Sequence, residues 1–314
     1  MIVDRISKEK FIMSDIKEFF SNSKPYGIKS PRAWFRLILS IVLSVVIMFS
    51  QMLGMTLASS LSLPPLFMTA VGEVVPLILA TLVVIAFGGR KWLGIDGDSV
   101  KYAFKVGWVF VALGLVASIM SVISSARKGV GLADGFLMNL VGVTLTCLLI
   151  GFFEEIFYRG INFGCLLGVF GGSKIKIMIA VLFAAWGFGR AHVTSLNFGD
   201  LSMFTQAILK IIQTGMLGVV MCDIMMHTKK IGAAGLLHAA NDFMLMVTGA
   251  LFEGKSVSGQ YVVSDSSTGG MVIITYLIMI AVYLYPTICS VRRIWNEYNS
   301  CYGPYVQTGK ETNQ

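Results

Sequence analysis

The sequence has 314 residues, of which only 13% are charged, and a mean hydropathy of +0.76; soluble domains carry roughly 25% charged residues, and a water-soluble fold of this length could not hide so much apolar surface. The formal net charge of +8 does not point to nucleic acid, because Lys and Arg fall between the apolar runs instead of forming one stripe. These numbers predict an all-α, polytopic transmembrane bundle, in which a basic surplus reports orientation and each crossing of a core about 30 Å thick takes about 20 apolar residues.

Residues 1–32 are a mixed-charge segment in which Ile16, Phe19 and Phe20 fit either a short interfacial helix or a loose tail. Pro31 closes it, and Arg36 stands at the foot of the first span, able to snorkel to the headgroups. That span has no small-residue cleavage site with a polar chain behind it, so it is expected to stay uncleaved. The spans are predicted at 34–58, 65–87 (opened by Pro64 and Pro65), 106–124, 136–170, 175–191, 203–226, 232–250 and 271–291, eight in all. The fourth is longer than one crossing and is interrupted at 154–159. It reads as one long broken helix or as a span followed by a shorter one; a long helix over about 143–169 would place Glu154 mid-membrane, and non-helical backbone around 159–174 would be tolerated only where protein buries it.

Loops rich in Lys and Arg fall on one side if there are eight spans, which places both termini in the cytoplasm, as for a multi-pass protein of a prokaryotic plasma membrane. The expected domains are a cytoplasmic segment (1–32), a transmembrane domain (33–291) and a cytoplasmic tail (292–314), of which 302–314 is expected to be disordered. The Ser/Gly stretch 256–270 reads as an external loop. Cys147, Cys165, Cys222, Cys289 and Cys301 form no CxxC pair and read as small hydrophobes. Gly164 and Gly168 offer a small-residue face for close helix contact, and the tryptophans lie mostly near span ends, as an interfacial belt requires.

An ionisable residue within a span is expensive, so it reads first as functional or paired. Four places qualify: Glu73, between Gly72 and Pro76 where a helix kinks; the segment Glu154–Arg159; Arg190 with His192; and His238 with Asn241 and Asp242. His227 lies at a span end outside any motif and reads as interfacial. Glu155 and Arg159, four apart, face each other as an ion pair would, whereas Glu154 points about 100° away. Phe188 shares a helix face with His192, and His238 shares one with Asp242. A carboxylate beside an imidazole can act as a general base toward water, and a second His with an Asn or Asp can stabilise a tetrahedral oxyanion. Glu154, His192 and His238 are equally the atom types that bind zinc, though no HExxH or cysteine cluster supports that alternative. A simple topology puts Glu154 near the cytoplasmic end of its span and His192 near the external end of the next.

The segments EEIFYR (Glu154, Glu155, Arg159), FGRAH (Phe188, His192) and HAAND (His238, Asn241, Asp242) are separated by 38 residues from Glu154 to His192 and by 46 from His192 to His238. In this order, on successive spans, they resemble the CPBP family of intramembrane proteases, which includes CAAX prenyl-protein endopeptidases and bacteriocin-processing or abortive-infection proteins. The family pattern is EExxxR, FxxxH, then HxxxN or HxxxD, and the resemblance covers about 135–250. It implies an intramembrane endopeptidase acting in the bilayer on a peptide or protein, lipidated in some members. Glu154 and His192 would activate water, His238 and Asp242 would stabilise the oxyanion, and Glu155 and Arg159 would support them. Asp242 departs from the Asn of many members; an Asp donates only when protonated, so orienting His238 is its other role. Members have been described both as zinc enzymes and as metal-free glutamate proteases. A non-catalytic immunity or scaffold protein of the same fold, and a secondary transporter using intramembrane acids and histidines, are the competing readings.

Overall fold

The computed structural model describes residues 27–193, 196–254, 262–264, 266–297, 299 and 303–305. Ile16, Phe19 and Phe20, Cys301, and most of the loop and tail expected at 256–270 and 302–314 lie outside the described residues. Among those described there are eight helices and no strand: α1 Pro31–Ser60, α2 Pro65–Ala86, α3 Gly97–Arg127, α4 Phe136–Phe170, α5 Lys174–Ala191, α6 Leu201–Thr228, α7 Ile231–Glu253 and α8 Ser266–Asn296. Seven are long and apolar enough to cross a membrane; α5, with 18 residues including Lys174, Lys176 and Arg190, is not among them.

The helix starts follow local chemistry. Ser30 accepts the Ala33 amide at 3.1 Å ahead of Pro31, and Asp200 accepts the Met203 amide at 3.0 Å. Asp96 and Ser99 form a reciprocal capping box, and the Ser99 amide holds the Asp96 carboxyl below its usual range. This cap starts α3 nine residues before the predicted apolar run, so the helix extends out of the bilayer on its capped end. The helix α8 likewise begins at Ser266, inside the stretch expected as loop.

Of the alternatives for the fourth span, the structure takes the single long helix. It runs unbroken for 35 residues, α-helical over Phe136–Glu155, π-helical over Ile156–Phe163 and α-helical again over Gly164–Phe170. A π segment has looser turns than an α-helix and is common where a helix carries function. Here its polar groups find partners from both ends of the chain: Tyr305 Oη donates to the Gly160 carbonyl at 2.8 Å, and Ser44 Oγ donates to Asn162 Oδ1 at 2.9 Å. Gly164 does not serve helix–helix contact as expected, because a Cβ there would meet Pro304 and Tyr305 at 2.9 Å. Gly168 has open space at its Cβ position, and its carbonyl accepts the Gly27 amide at 2.8 Å. Pro304 and Tyr305, assigned to a disordered tail, are buried. Trp92, assigned to the interfacial belt, is also buried, beneath the Lys229 ammonium.

The most extensive packing joins α4 to α7, with α8 and α5 against α6 and α3 against α7. The helix α6 is the most enclosed span. Cys147, Cys165 and Cys222 are buried as free thiols.

Candidate functional site

The depth of the motif residues follows from helix length. Both α4 and α5 reach the short turn between Phe170 and Lys174. Counting from it, Glu154 lies about 24 Å along α4 and His192 about 27 Å along α5, at 1.5 Å per residue. They are therefore level, and the mismatch expected from a simple topology disappears because α4 is long and α5 short. Close approach of α4 and α7 brings the third motif in. A Cβ on Gly151 would lie 2.7 Å from the Gly235 carbonyl oxygen and the Ala239 nitrogen, so the two backbones touch one turn from Glu154, Glu155 and His238.

The cluster that results is built around two imidazoles. Glu154 Oε2 is 3.9 Å from His192 Nε2 and 3.8 Å from His238 Nε2. His238 Nδ1 is 3.0 Å from Glu155 Oε1, and Arg159 Nη1 donates to that same oxygen at 3.0 Å. Glu155 and Arg159 are essentially fully buried. Arg159 Nη2 also donates to the Gly218 carbonyl of α6 at 3.3 Å, and its guanidinium lies 4.1 Å from the Phe188 ring centroid. Phe188 meets His192 and His238 edge-on, at 4.8 and 5.7 Å between centroids. One aromatic thus packs against both histidines and the arginine.

The hydrogen bonds define tautomers. His192 Nδ1 lies 2.9 Å from the Phe188 carbonyl oxygen; a carbonyl only accepts, so Nδ1 carries the proton and Nε2 turns a lone pair toward Glu154 in the neutral ring. Glu155, already accepting from Arg159, accepts from His238 Nδ1–H as well. His238 Nε2 then faces Glu154 and, at 3.5 Å, Asp242 Oδ2. Asn241 Nδ2 donates to Asp242 Oδ1 at 3.4 Å. Three oxygens of the cluster are buried and have no hydrogen-bond partner among the described residues: Glu154 Oε2, Glu155 Oε2 and Asn241 Oδ1.

All seven motif residues, Glu154, Glu155, Arg159, His192, His238, Asn241 and Asp242, therefore converge. Residues 136–244 match the family model described as Type II CAAX prenyl endopeptidase Rce1-like. The chain is similar to that family over this stretch, about a third of its length. No curated protein and no solved structure matches it. The Rce1-like stretch opens at the first residue of α4 and ends within α7, so it contains the whole cluster and excludes α1–α3 and α8. With seven apolar spans and an Rce1-like core, the chain is a multi-pass membrane protein.

Two features went unread in the sequence. Lys210, a buried cation of α6, donates to Gln213 Oε1 at 3.2 Å and stands within electrostatic reach of Asp242, Glu154 and His192; a lone lysine within an apolar run was its only signal. The other is the main-chain carbonyl of Gly218, which no side-chain motif could reveal.

No three His, Cys, Asp or Glu side chains among the described residues are disposed to hold a metal ion. Two donors on one tetrahedral zinc stand about 3.3 Å apart, given bonds of about 2.0–2.1 Å. The separations of 3.8 and 3.9 Å from Glu154 to the two imidazoles are wider than that.

Proposed function

We propose that this protein is an intramembrane endopeptidase of CAAX type, cleaving a peptide bond of a membrane-associated peptide or protein, with Glu154 as general base. The observation that carries the reading is the Glu154 carboxylate oxygen, buried without a hydrogen bond and set between two imidazole nitrogens. A buried polar atom left unpartnered is costly, and catalytic groups are where such a cost is found.

Polar groups 3.9 Å apart are too far for a direct hydrogen bond and are suited to a shared water. A water in reach of Glu154 Oε2 and His192 Nε2 meets two acceptors, which orient its protons and turn its lone pair outward. As that oxygen forms a bond to the scissile carbonyl carbon, one O–H bond breaks and the proton passes to Glu154. The carbonyl electron pair moves onto its oxygen. His238, protonated at both nitrogens, can donate Nε2–H to that oxyanion while Glu155 holds Nδ1–H. Collapse breaks the C–N bond, and Glu154 returns the proton to the leaving amine. Asp242 takes the orienting role, since its Oδ2 faces His238 Nε2 and its Oδ1 accepts from Asn241. Arg159 acts through Glu155 as a positioning residue.

We further place both termini in the cytoplasm, of a prokaryotic plasma membrane, from the distribution of basic loops, with α5 counted as an eighth crossing beside the seven long apolar spans. The test is purified protein in vesicles with synthetic CAAX-terminated peptides, farnesylated and not. Wild type releases the C-terminal fragment, and Glu154→Gln does not while remaining folded. Unchanged release by Glu154→Gln overturns the assignment, and solute flux across the vesicles in place of cleavage supports a transporter. Chelation leaves turnover intact; loss restored by zinc would make Glu154 a ligand instead of the base.

A further inference from the structure

Outside the Rce1-like stretch, α1 and α2 border an open groove of about 800 Å³ on the outer face of the bundle, where Phe49 and Met52 are exposed. Its wall is mostly apolar and adaptable, with Met48, Met52, Met55 and Phe49, and its polar members are Ser44, Gln51, Thr56, Thr69 and Glu73. Thioether side chains repack readily around different apolar shapes. The two helices are pinned beside the groove, since a Cβ on Gly54 would stand 2.3 Å from the Gly72 carbonyl oxygen. Pro76, inside α2, has no amide for that carbonyl, four residues back.

Glu73 is the anomaly. It is 5% exposed, and Oε1 accepts from Gln51 Nε2 at 2.7 Å, but Oε2 is buried with no hydrogen-bond partner among the described residues. Glu73 is also within electrostatic reach of Glu154. At the other end, Ser44 lines the groove and bonds Asn162 of the π segment.

We propose that this groove is the lateral docking site for the polypeptide of the substrate, with Glu73 bonding one of its main-chain amides. An acyl or isoprenoid chain would fill the apolar volume but brings no group for Glu73 Oε2, whereas a main-chain amide offers both a donor and an acceptor. At Ser44, bonded to Asn162, the groove abuts the helix that carries Glu154. The proposal rests on the protease reading, and its test separates the two.

In the full-length Glu154→Gln protein, reconstituted in phosphatidylcholine vesicles, a photo-crosslinking amino acid replaces Met52 in the groove or, as control, Leu182 on the outer face of α5. The probes are CAAX-terminated peptides with and without farnesyl. Adducts from Met52 with both peptides and none from Leu182 are expected, and this readout needs no turnover. In the active protein, Glu73→Leu is expected to raise KM about tenfold, the worth of one buried hydrogen bond, with kcat unchanged; Glu73→Gln, which keeps an amide partner, restores most of it. Crosslinking only of the farnesylated peptide, or only of lipid, overturns the proposal, as does a fall in kcat with KM constant. Peptide adducts without cleavage by wild type would leave the docking site standing and remove the protease reading.

Discussion

Two clusters in this molecule use the same chemistry to opposite ends. The motif cluster joins Glu155, Arg159 and His238 beside Glu154; the second joins Asp223, Arg293 and His227 near one end of the bundle. Asp223 is completely buried, and both its oxygens are engaged: Oδ1 lies 2.7 Å from His227 Nδ1 and accepts from Tyr102 Oη at 3.3 Å, while Oδ2 accepts from Arg293 Nε at 3.0 Å. His227 Nε2 lies 2.8 Å from Glu297 Oε2, and Tyr102 stacks on the imidazole. The ring read in the sequence as merely interfacial thus ties together α3, α6 and the end of α8. A carboxylate whose oxygens are all bonded has nothing left to offer a substrate, and it fastens helices. In the motif cluster Glu155 does the fastening through Oε1 alone, while the unbonded oxygen of Glu154 is the one set between two imidazole nitrogens. Equal inventories of acid, arginine and imidazole differ in use by which polar atoms are left over.

The largest effect expected from this contrast is at Glu154. Glu154→Gln keeps volume and burial, so unfolding in detergent should be unchanged while peptide cleavage falls about 10³-fold or more, at the upper end for a lost general base. A large loss of stability with activity retained would reverse the two clusters. Next comes Asp223→Ala, which strands Arg293 and His227. Breaking a buried ion pair costs roughly 3–5 kcal/mol; Arg293 is partly exposed, with a side chain 29% accessible, so about 2 kcal/mol is expected, read by thermal unfolding. Turnover per folded molecule should not move.

Arg159→Lys probes the join between fastening and chemistry. An ammonium cannot bond Glu155 and Gly218 while lying flat on Phe188. The imidazole of His238 then loses its fixed acceptor, and kcat should fall about tenfold, the low end for a group that orients another. KM should hold, because Arg159 faces no substrate. A change in KM alone would mean that the arginine shapes binding instead.

These contrasts also mark where sequence reasoning stops. Glu155 and Arg159, His238 and Asp242, and Phe188 and His192 were legible because four-residue spacing fixes a helix face without further knowledge. The all-α fold and the eight helices followed from apolar runs. The level of Glu154 did not, since a π segment leaves no hydropathic trace and the shortness of α5 shows only beside its neighbours. Asp223 escaped notice as one acid in an apolar run, because its partner Arg293 is 70 residues away. Tyr305 was invisible for the same reason: its acceptor, the Gly160 carbonyl, belongs to the backbone.

The smallest effect, and the one that most sharpens the comparison, is expected for His227→Gln. The substitution removes an imidazole that bridges Asp223 and Glu297, but Asp223 keeps Arg293 and Tyr102. The loss should be near 1 kcal/mol, one net hydrogen bond, with no change in cleavage. The test is sensitive because α6 serves both clusters: Gly218, which accepts from Arg159, lies little more than one turn from Asp223. Coupling through α6 would appear as a fall in kcat on loosening His227. It is not expected, because Gly218 contributes a main-chain carbonyl, held in place by a helix that is buried along most of its length. A rotation of the His227 or Asp223 side chain does not move that oxygen. A drop in kcat of several-fold at unchanged stability would show that the two clusters form one device.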